Sequence, residues 1–251
     1  MMTKVKTPAE IADIRASGKM LATVLELLRK QVKADMTTKD LADMAADKLA
    51  ELGGKPAFLG YQDFPDVICI SVNDEVVHGI PRSSCVLKNG DVVGLDFGVN
   101  YNGMITDAAI TVIVGGKADK RVVELVRDTE TALIAGIDTL HDGVKTGDIG
   151  AAVEAMLNKG KYGIVRDLVG HGVGHAVHEE PNIPNYGRAG SGPTLKAGMT
   201  IAIEPMATLG TDDVVMADDH WTIQTRDGSL AAHFEHTILI TDDGFEILTS
   251  I

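Results

Sequence analysis

Behind Thr7, apolar residues recur at steps of three and four: Ile11, Ile14, Gly18, Leu21, Leu25 and Leu28 fall on one stripe of a helix. Thr7-Pro8-Ala9-Glu10 marks its start, with Thr7 as cap, Pro8 at the first helical position and Glu10 bonding back to the cap. A second helix is expected from Thr37 or Thr38 through Leu41, Ala45 and Leu49, stopping at Gly53-Gly54. From Val67 to Gly115 the character changes to β. Residues 67–72 and 91–95 read as strands, and Asn102-Gly103 reads as the two-residue turn of a hairpin. Helix returns over 120–140, with Val123, Val126, Leu133 and Ile137 among its apolar positions, and again over 146–159. The rest of the chain reads as strand and loop.

Helix, helix, strands therefore occurs twice. Thr38-Lys39-Asp40-Leu41 matches Thr146-Gly147-Asp148-Ile149, and the stripe Leu41, Ala45, Leu49 matches Ile149, Val153, Leu157 at the same offset of 108. Capped amphipathic helices resemble one another, so the match alone is weak; the repeated order of elements strengthens it. Two similar α+β halves sharing one sheet are expected, with a site at the seam between them. No linker or low-complexity segment interrupts residues 1–251, which read as a single domain.

The composition is that of an ordinary globular protein, with 45% apolar and 24% charged residues over 251 positions. The net charge of −13 argues against nucleic acid and against an anionic membrane as partners. No signal peptide precedes the first helix, and no apolar run approaches the ~20 residues of a membrane span. The only cysteines, Cys69 and Cys85, are too few for a disulfide framework. A reduced, cytoplasmic protein is expected.

Three groups of residues carry chemistry. If Asn102-Gly103 closes the hairpin, Tyr101 pairs with Met104 and Asp96 lies opposite Ala109, so Asp107 shares the face of Asp96. The two carboxylates then stand roughly 7–8 Å apart at the backbone. They are either two solvated acids on an open face or ligands of a cation. Asp is disfavoured in strands, which favours the cation. The second group is Gly170-His171-Gly172-Val173-Gly174-His175-Ala176-Val177-His178-Glu179-Glu180-Pro181. His171 and His175 have the spacing of a helical zinc site, but the glycines make a helix improbable and suit an irregular strand approached closely by a ligand. The third is Glu204, ending the apolar run Thr200-Ile201-Ala202-Ile203, and Glu235, embedded in Phe234-Glu235-His236-Thr237-Ile238. Each alone could pair with a basic side chain. Four such carboxylates and a histidine in one domain suggest shared cations.

Taken in order, His78-Gly79-Ile80-Pro81, Asp96, Asp107, Gly170–Gly174 with His178-Glu179-Glu180-Pro181, Glu204-Pro205-Met206 and Glu235-His236-Thr237-Ile238 resemble the type I methionine aminopeptidases over nearly the whole chain. The resemblance implies the α+β pita-bread fold: two pseudo-symmetric halves sharing a curved antiparallel sheet, with helices on its outer face. It implies removal of the initiator methionine from nascent proteins and peptides when the second residue is small. Asp96, Asp107, His171, Glu204 and Glu235 become the metal ligands, Asp107 and Glu235 bridging two ions and Asp96 chelating one. His78, His178 and Glu204 become the catalytic residues. Phe58, Tyr61, Phe64, Cys69 and Trp221 become the pocket for the methionine side chain, with Val177 where some members carry an aromatic. The oxygen-rich ligand set suits Fe, Mn or Co, with Zn as an alternative. A cytoplasmic monomer is implied, acting on peptide amino termini, with ribosome contacts left open.

A proline-directed aminopeptidase or prolidase of the same fold is the nearest rival, although such relatives usually carry a further N-terminal domain. A non-catalytic relative would have lost ligands, whereas all five are present. A zinc endopeptidase is disfavoured because His-Glu-x-x-His is absent, His178-Glu179 being followed by Glu180-Pro181-Asn182.

Overall fold

Each expected helix forms, and threonine caps fix where the first two begin. The computed structural model describes residues 2–250. In α1 (Pro8–Gln31) Thr7 and Glu10 close the capping box, and Ile14, Leu21, Leu25 and Leu28 are buried along one stripe. In α2 (Thr38–Leu52) Thr37 and Asp40 do the same, and Gly53 ends the helix in the left-handed conformation. The second pair is α3 (Lys120–Ile137) and α4 (Thr146–Gly160). Among the described residues, no helix is long and apolar enough to cross a membrane.

The long hairpin pairs Val92–Tyr101 with Met104–Ile113 in the expected register, Tyr101 opposite Met104 and Asp96 opposite Ala109. Asn102 and Gly103 turn it with φ of 52° and 86°, the left-handed geometry that Asn-Gly accepts at little cost. Cys69–Val72 pairs with Val92–Tyr101 to complete the inner part of a four-stranded sheet. In the other half a five-stranded sheet contains Gly170–Gly172, Thr200–Ile203 and His236–Thr241.

The offset of 108 proves to be structural. Asp35 N–H and Thr38 N–H donate to Leu87 O and Cys85 O; Gly143 and Thr146 donate to Leu195 and Pro193 in the same way. Lys55 pairs with Asn100 as Gly163 pairs with Thr208. Every member of the second set stands 108 places after its counterpart, so two halves with one backbone plan make up the chain. On that plan Asp96 and Glu204 are equivalent positions.

The alternation of the strands sorts side chains between two faces. Val93, Leu95, Phe97 and Val99 pack under α1 and α2, while Ile201, Ile203, Ile238 and Ile240 pack with Leu133, Ile137 and Ile149 of α3 and α4. Burying each such side chain contributes about 1.5–3 kcal/mol, so this face fixes strand register and the opposite face follows. The opposite face carries Asp96 and Asp107.

The shared sheet is continuous across the halves at one narrow seam. Ala109 and Glu235 exchange backbone hydrogen bonds of 3.2 and 2.9 Å. On either side threonine hydroxyls replace the backbone ladder: Thr237 with Asp107, and Thr111 with His233.

Candidate active site

All five expected ligands and the expected pocket residues line one cavity of about 120 Å³, together with His78, His178, Val177 and Gln62. Asp96 and Asp107 reach it from the inner face of the hairpin. Glu204 reaches it from the end of Thr200–Ile203, and Glu235 from the seam. His171 lies in Gly170–Gly172, opposite Ala202. Its Nδ1 sits 3.0 Å from Gly172 O, so Nδ1–H donates there and Nε2 keeps its lone pair for the cavity. That Nε2 is 3.3 Å from Glu204 Oε1.

Asp107, His171 and Glu235 offer ligand atoms that all lie within 4.8 Å of one another, close enough to share one ion. Asp96 Oδ1, Asp107 Oδ1 and Glu235 Oε1 are buried without any hydrogen-bond partner. Unpaired buried carboxylate oxygens are costly, and a divalent cation satisfies them together. Electrostatics agrees. Burial pushes the Asp96 carboxyl up to about 7. Burial and mutual repulsion push Asp107, Glu204 and Glu235 well above the carboxylate range, so the four cannot all be ionised without added positive charge. Burial also holds His171 near 3, a neutral imidazole fit to be a ligand. The residues fit a metal centre.

The two remaining histidines stand at the rim. His78 follows the strand Glu75–Val77 with φ of 60°, a left-handed conformation that a non-glycine residue keeps only where its surroundings impose it. Its ring is 6.3 Å from Trp221, and burial lowers its pKa to about 4. The His178 ring lies 4.2 Å from that of His171, and its Nδ1 is 2.9 Å from the Tyr61 hydroxyl. His178 reaches solvent, but the walls around it still lower its pKa by desolvation.

Aromatic rings enclose the apolar part. Phe64 meets Trp221 edge-on at 5.1 Å. Phe58 lies over Gly98, where a Cβ would come within 2.5 Å of the ring, so glycine at 98 lets the wall close down on the hairpin. Cys69 stands opposite Asp96 in the sheet; burial, reinforced by Asp96 and Asp107, pushes its thiol up and keeps it protonated. Val177 is 3% exposed and packs with Phe58, Phe64 and Cys69, so it takes part in the pocket. A cavity of roughly 150 Å³ holds one benzene-sized group, so this one admits a single side chain.

His233 is the residue that the sequence reading missed. It is 3% exposed, its Nε2 has no partner, and that atom lies 3.8 Å from Glu204 Oε2 and 3.9 Å from Glu235 Oε2. It precedes Glu235 by two places in extended chain, and the period-two rule that placed Asp107 beside Asp96 would have found it.

The description of metallopeptidase family M24 matches residues 12–242, and the chain belongs to that family of metal-dependent hydrolases. Within it the chain falls among the methionine aminopeptidases. It is 46% identical to the methionine aminopeptidase of Treponema pallidum (strain Nichols), covering 99% of this chain and 96% of that one. The crystal structure of methionine aminopeptidase from Thermotoga maritima matches with a TM-score of 0.97 and 44% identity, covering 100% of both chains. A prolidase from Pyrococcus furiosus shares the fold, with a TM-score of 0.80 at 22% identity; this chain covers 65% of its length.

Proposed function

We propose that this chain removes the amino-terminal methionine from nascent proteins and peptides whose second residue is small. The observation that carries the reading is a slot for one apolar side chain that ends on a buried cluster of four carboxylates and a histidine. Such a floor meets a free amino group and leaves no path for a chain continuing beyond it, so only the first residue is removed.

Asp96, Asp107, His171, Glu204 and Glu235 would hold two divalent ions. The donor set suits Mn, Fe or Co, and Zn less well. When bound, the ions supply Lewis acidity that brings the pKa of water toward neutrality. Glu204 accepts the proton of the attacking water and passes it to the leaving amine. In the tautomer that carries its proton on Nε2, His178 accepts a hydrogen bond from the Tyr61 hydroxyl at Nδ1 and keeps the Nε2–H for the scissile carbonyl oxygen. That hydrogen bond strengthens as charge develops on the oxygen, so it favours the transition state over bound substrate. His78 holds the substrate's backbone amide. The same reading places the protein in the cytoplasm as a monomer meeting chains that emerge from the ribosome. The net charge of −13 fits peptide rather than nucleic acid as its partner.

The test is an assay of chelated protein on Met-Ala-Ser and Xaa-Pro peptides with metals restored one at a time. Cleavage of Met-Ala-Ser with Mn, Fe or Co is expected. Faster cleavage of Xaa-Pro under the same metal would move the protein to the proline-directed branch.

A further inference from the structure

The extended segment before α1 is more than a lead-in. Thr3 N–H donates to Glu180 O, Lys6 N–H donates to Gly198 O at 2.7 Å, and Thr3 Oγ1 reaches Thr200 O at 3.4 Å. The segment thus lies along the chain that runs from His171 through His178 to Glu180. A cavity of about 240 Å³ lined by Met2, Lys4, His175, Ala176, His178 and Glu179 lies between it and the rim of the active site.

Lys6 is the unusual residue. Its side chain has no exposure, and the residue as a whole is 3% exposed, a state lysine rarely adopts without full compensation. Two of its ammonium protons go to Thr3 Oγ1 at 2.9 Å and Lys4 O at 3.1 Å, and Glu179 Oε2 faces the ammonium at 3.5 Å as a charge partner. The other oxygen of the same carboxylate accepts the N–H of His175 at 2.7 Å and of Ala176 at 3.0 Å. Burial works against the charge of Glu179, yet these hydrogen bonds and Lys6 hold its pKa below the usual value. The carboxylate therefore ties the turn before His178 to the segment at residues 3–6, and His178 is its chain neighbour.

Two buried charges are an expensive way to fill space, since an apolar pair of the same volume often does so at equal or greater stability. What the ion pair supplies is a fixed direction. We propose that Lys6 and Glu179 are positioning residues for His178, holding its turn so that Nε2 meets the scissile carbonyl. This rests on the assignment of His178 under the proposed function. Without Lys6 the carboxylate turns toward water and releases the N–H groups of His175 and Ala176. The turn then relaxes and the imidazole loses its aim, while the metal ligands stay in place.

The experiment measures Mn content, kcat and KM on Met-Ala-Ser for Lys6→Met, Lys6→Arg, Glu179→Gln and Lys6→Met/Glu179→Gln, each also in a His178→Ala background. Misplacement by about an ångström costs up to ~100-fold, so a loss of at least ~10-fold in kcat is expected for Lys6→Met and for Glu179→Gln, with KM within about twofold and Mn content unchanged. The double variant should be no worse than either single, Lys6→Arg should recover most of the rate, and none should matter once His178 is alanine. A kcat within about twofold of wild type in the folded, metal-replete Lys6→Met enzyme would overturn the proposal, since a purely structural role predicts that, with only a lower melting temperature. So would an equal loss in the His178→Ala background, or loss of Mn. If Lys6→Met does not fold, Glu179→Gln decides alone, because it keeps the shape of the side chain and removes the charge through which Lys6 fixes its direction. Wild-type enzyme inert on Met-Ala-Ser would instead strike the functional assignment.

Discussion

The Thr237 hydroxyl accepts the N–H of Asp107 at 2.9 Å and donates to the carbonyl of the same residue at 2.7 Å. One side chain thus satisfies both backbone groups of a ligand-bearing residue where the ladder between the halves gives out. Thr237→Val keeps the shape and strands both groups in a buried site, at about 1–3 kcal/mol for each unsatisfied group. Chemical denaturation should show a loss of that order, and Thr237→Ser should recover most of it. Unchanged stability in the valine variant would mean that the hydroxyl does not hold the seam.

Metal-free protein should lose stability as pH rises, the reverse of the usual behaviour of paired carboxylates. The folded state raises Asp96 from an ordinary 3.8 to about 7, and raises Asp107, Glu204 and Glu235 well above the ordinary carboxylate range. Over that interval the folded state holds more protons than the unfolded one. The raised groups therefore contribute their full stability below pH 4 and lose it through pH 7 and beyond. The buried histidines act in the opposite sense, but above about pH 7.5 they are neutral in both states. Melting curves of chelated protein at pH 7.5 and pH 9 should therefore show the lower midpoint at pH 9, and added Mn should remove the difference. A midpoint that climbs from pH 7.5 to 9 without metal would contradict the repulsion argument.

His233 should tune metal affinity without being a ligand. Burial, reinforced by His78, keeps its pKa at about 3, so it is neutral, and its Nε2 stands between Glu204 and Glu235. Loss of such a supporting contact lowers metal affinity roughly 10- to 100-fold. Titration with Mn followed by electron spin resonance should show this for His233→Leu and much less for His233→Gln. Equal affinity in the leucine variant would reduce His233 to a space-filler.

Replacing His178 by alanine should lower kcat by about 100-fold or more while metal content stays intact, the scale of one lost oxyanion contact. Metal loss in that variant would make His178 a ligand, against its position at the rim.

Among first residues, the slot should accept methionine, turn over norleucine slowly and refuse valine. Thioether sulfur gains roughly 0.3–1.5 kcal/mol per aromatic contact, and Phe58, Phe64 and Trp221 supply rings, whereas one methylene changes discrimination by only about 1–3 kcal/mol. Competition assays with Met-Ala, norleucyl-Ala and Val-Ala peptides measure the order, and rapid valine release would show that the walls yield.

What the sequence disclosed was local. The common face of Asp96 and Asp107 follows from a two-residue turn and a period of two, both readable over a dozen positions. The pocket was not readable in this way, because Phe58, Cys69 and Trp221 meet only when three separate loops and strands converge; a family resemblance supplied them. The repeat was seen in α2 and α4 but not in the strands, since Lys55-Pro56 and Gly163-Ile164 share a backbone register and no side-chain type. Lys6 was invisible for a simpler reason: a lysine beside a helix start is expected in water, and nothing local announces that Glu179 will cover it.

The equivalence of Asp96 and Glu204 has a consequence for how such a centre can exist at all. One copy of the repeated plan carries Asp96 and Asp107, the other His171, Glu204 and Glu235, and neither closes the cluster alone. Two separate polypeptides of this plan would have to meet before either could work, and dilution would silence them. Joined in one chain, the copies see each other at the high effective concentration that a short tether imposes, whatever the abundance of the protein. The spacing of 108 runs from the second helix of each half to the strand that carries Asp96 or leads to Glu204. The extra methylene of Glu204 over Asp96 is enough to make the two halves no longer interchangeable.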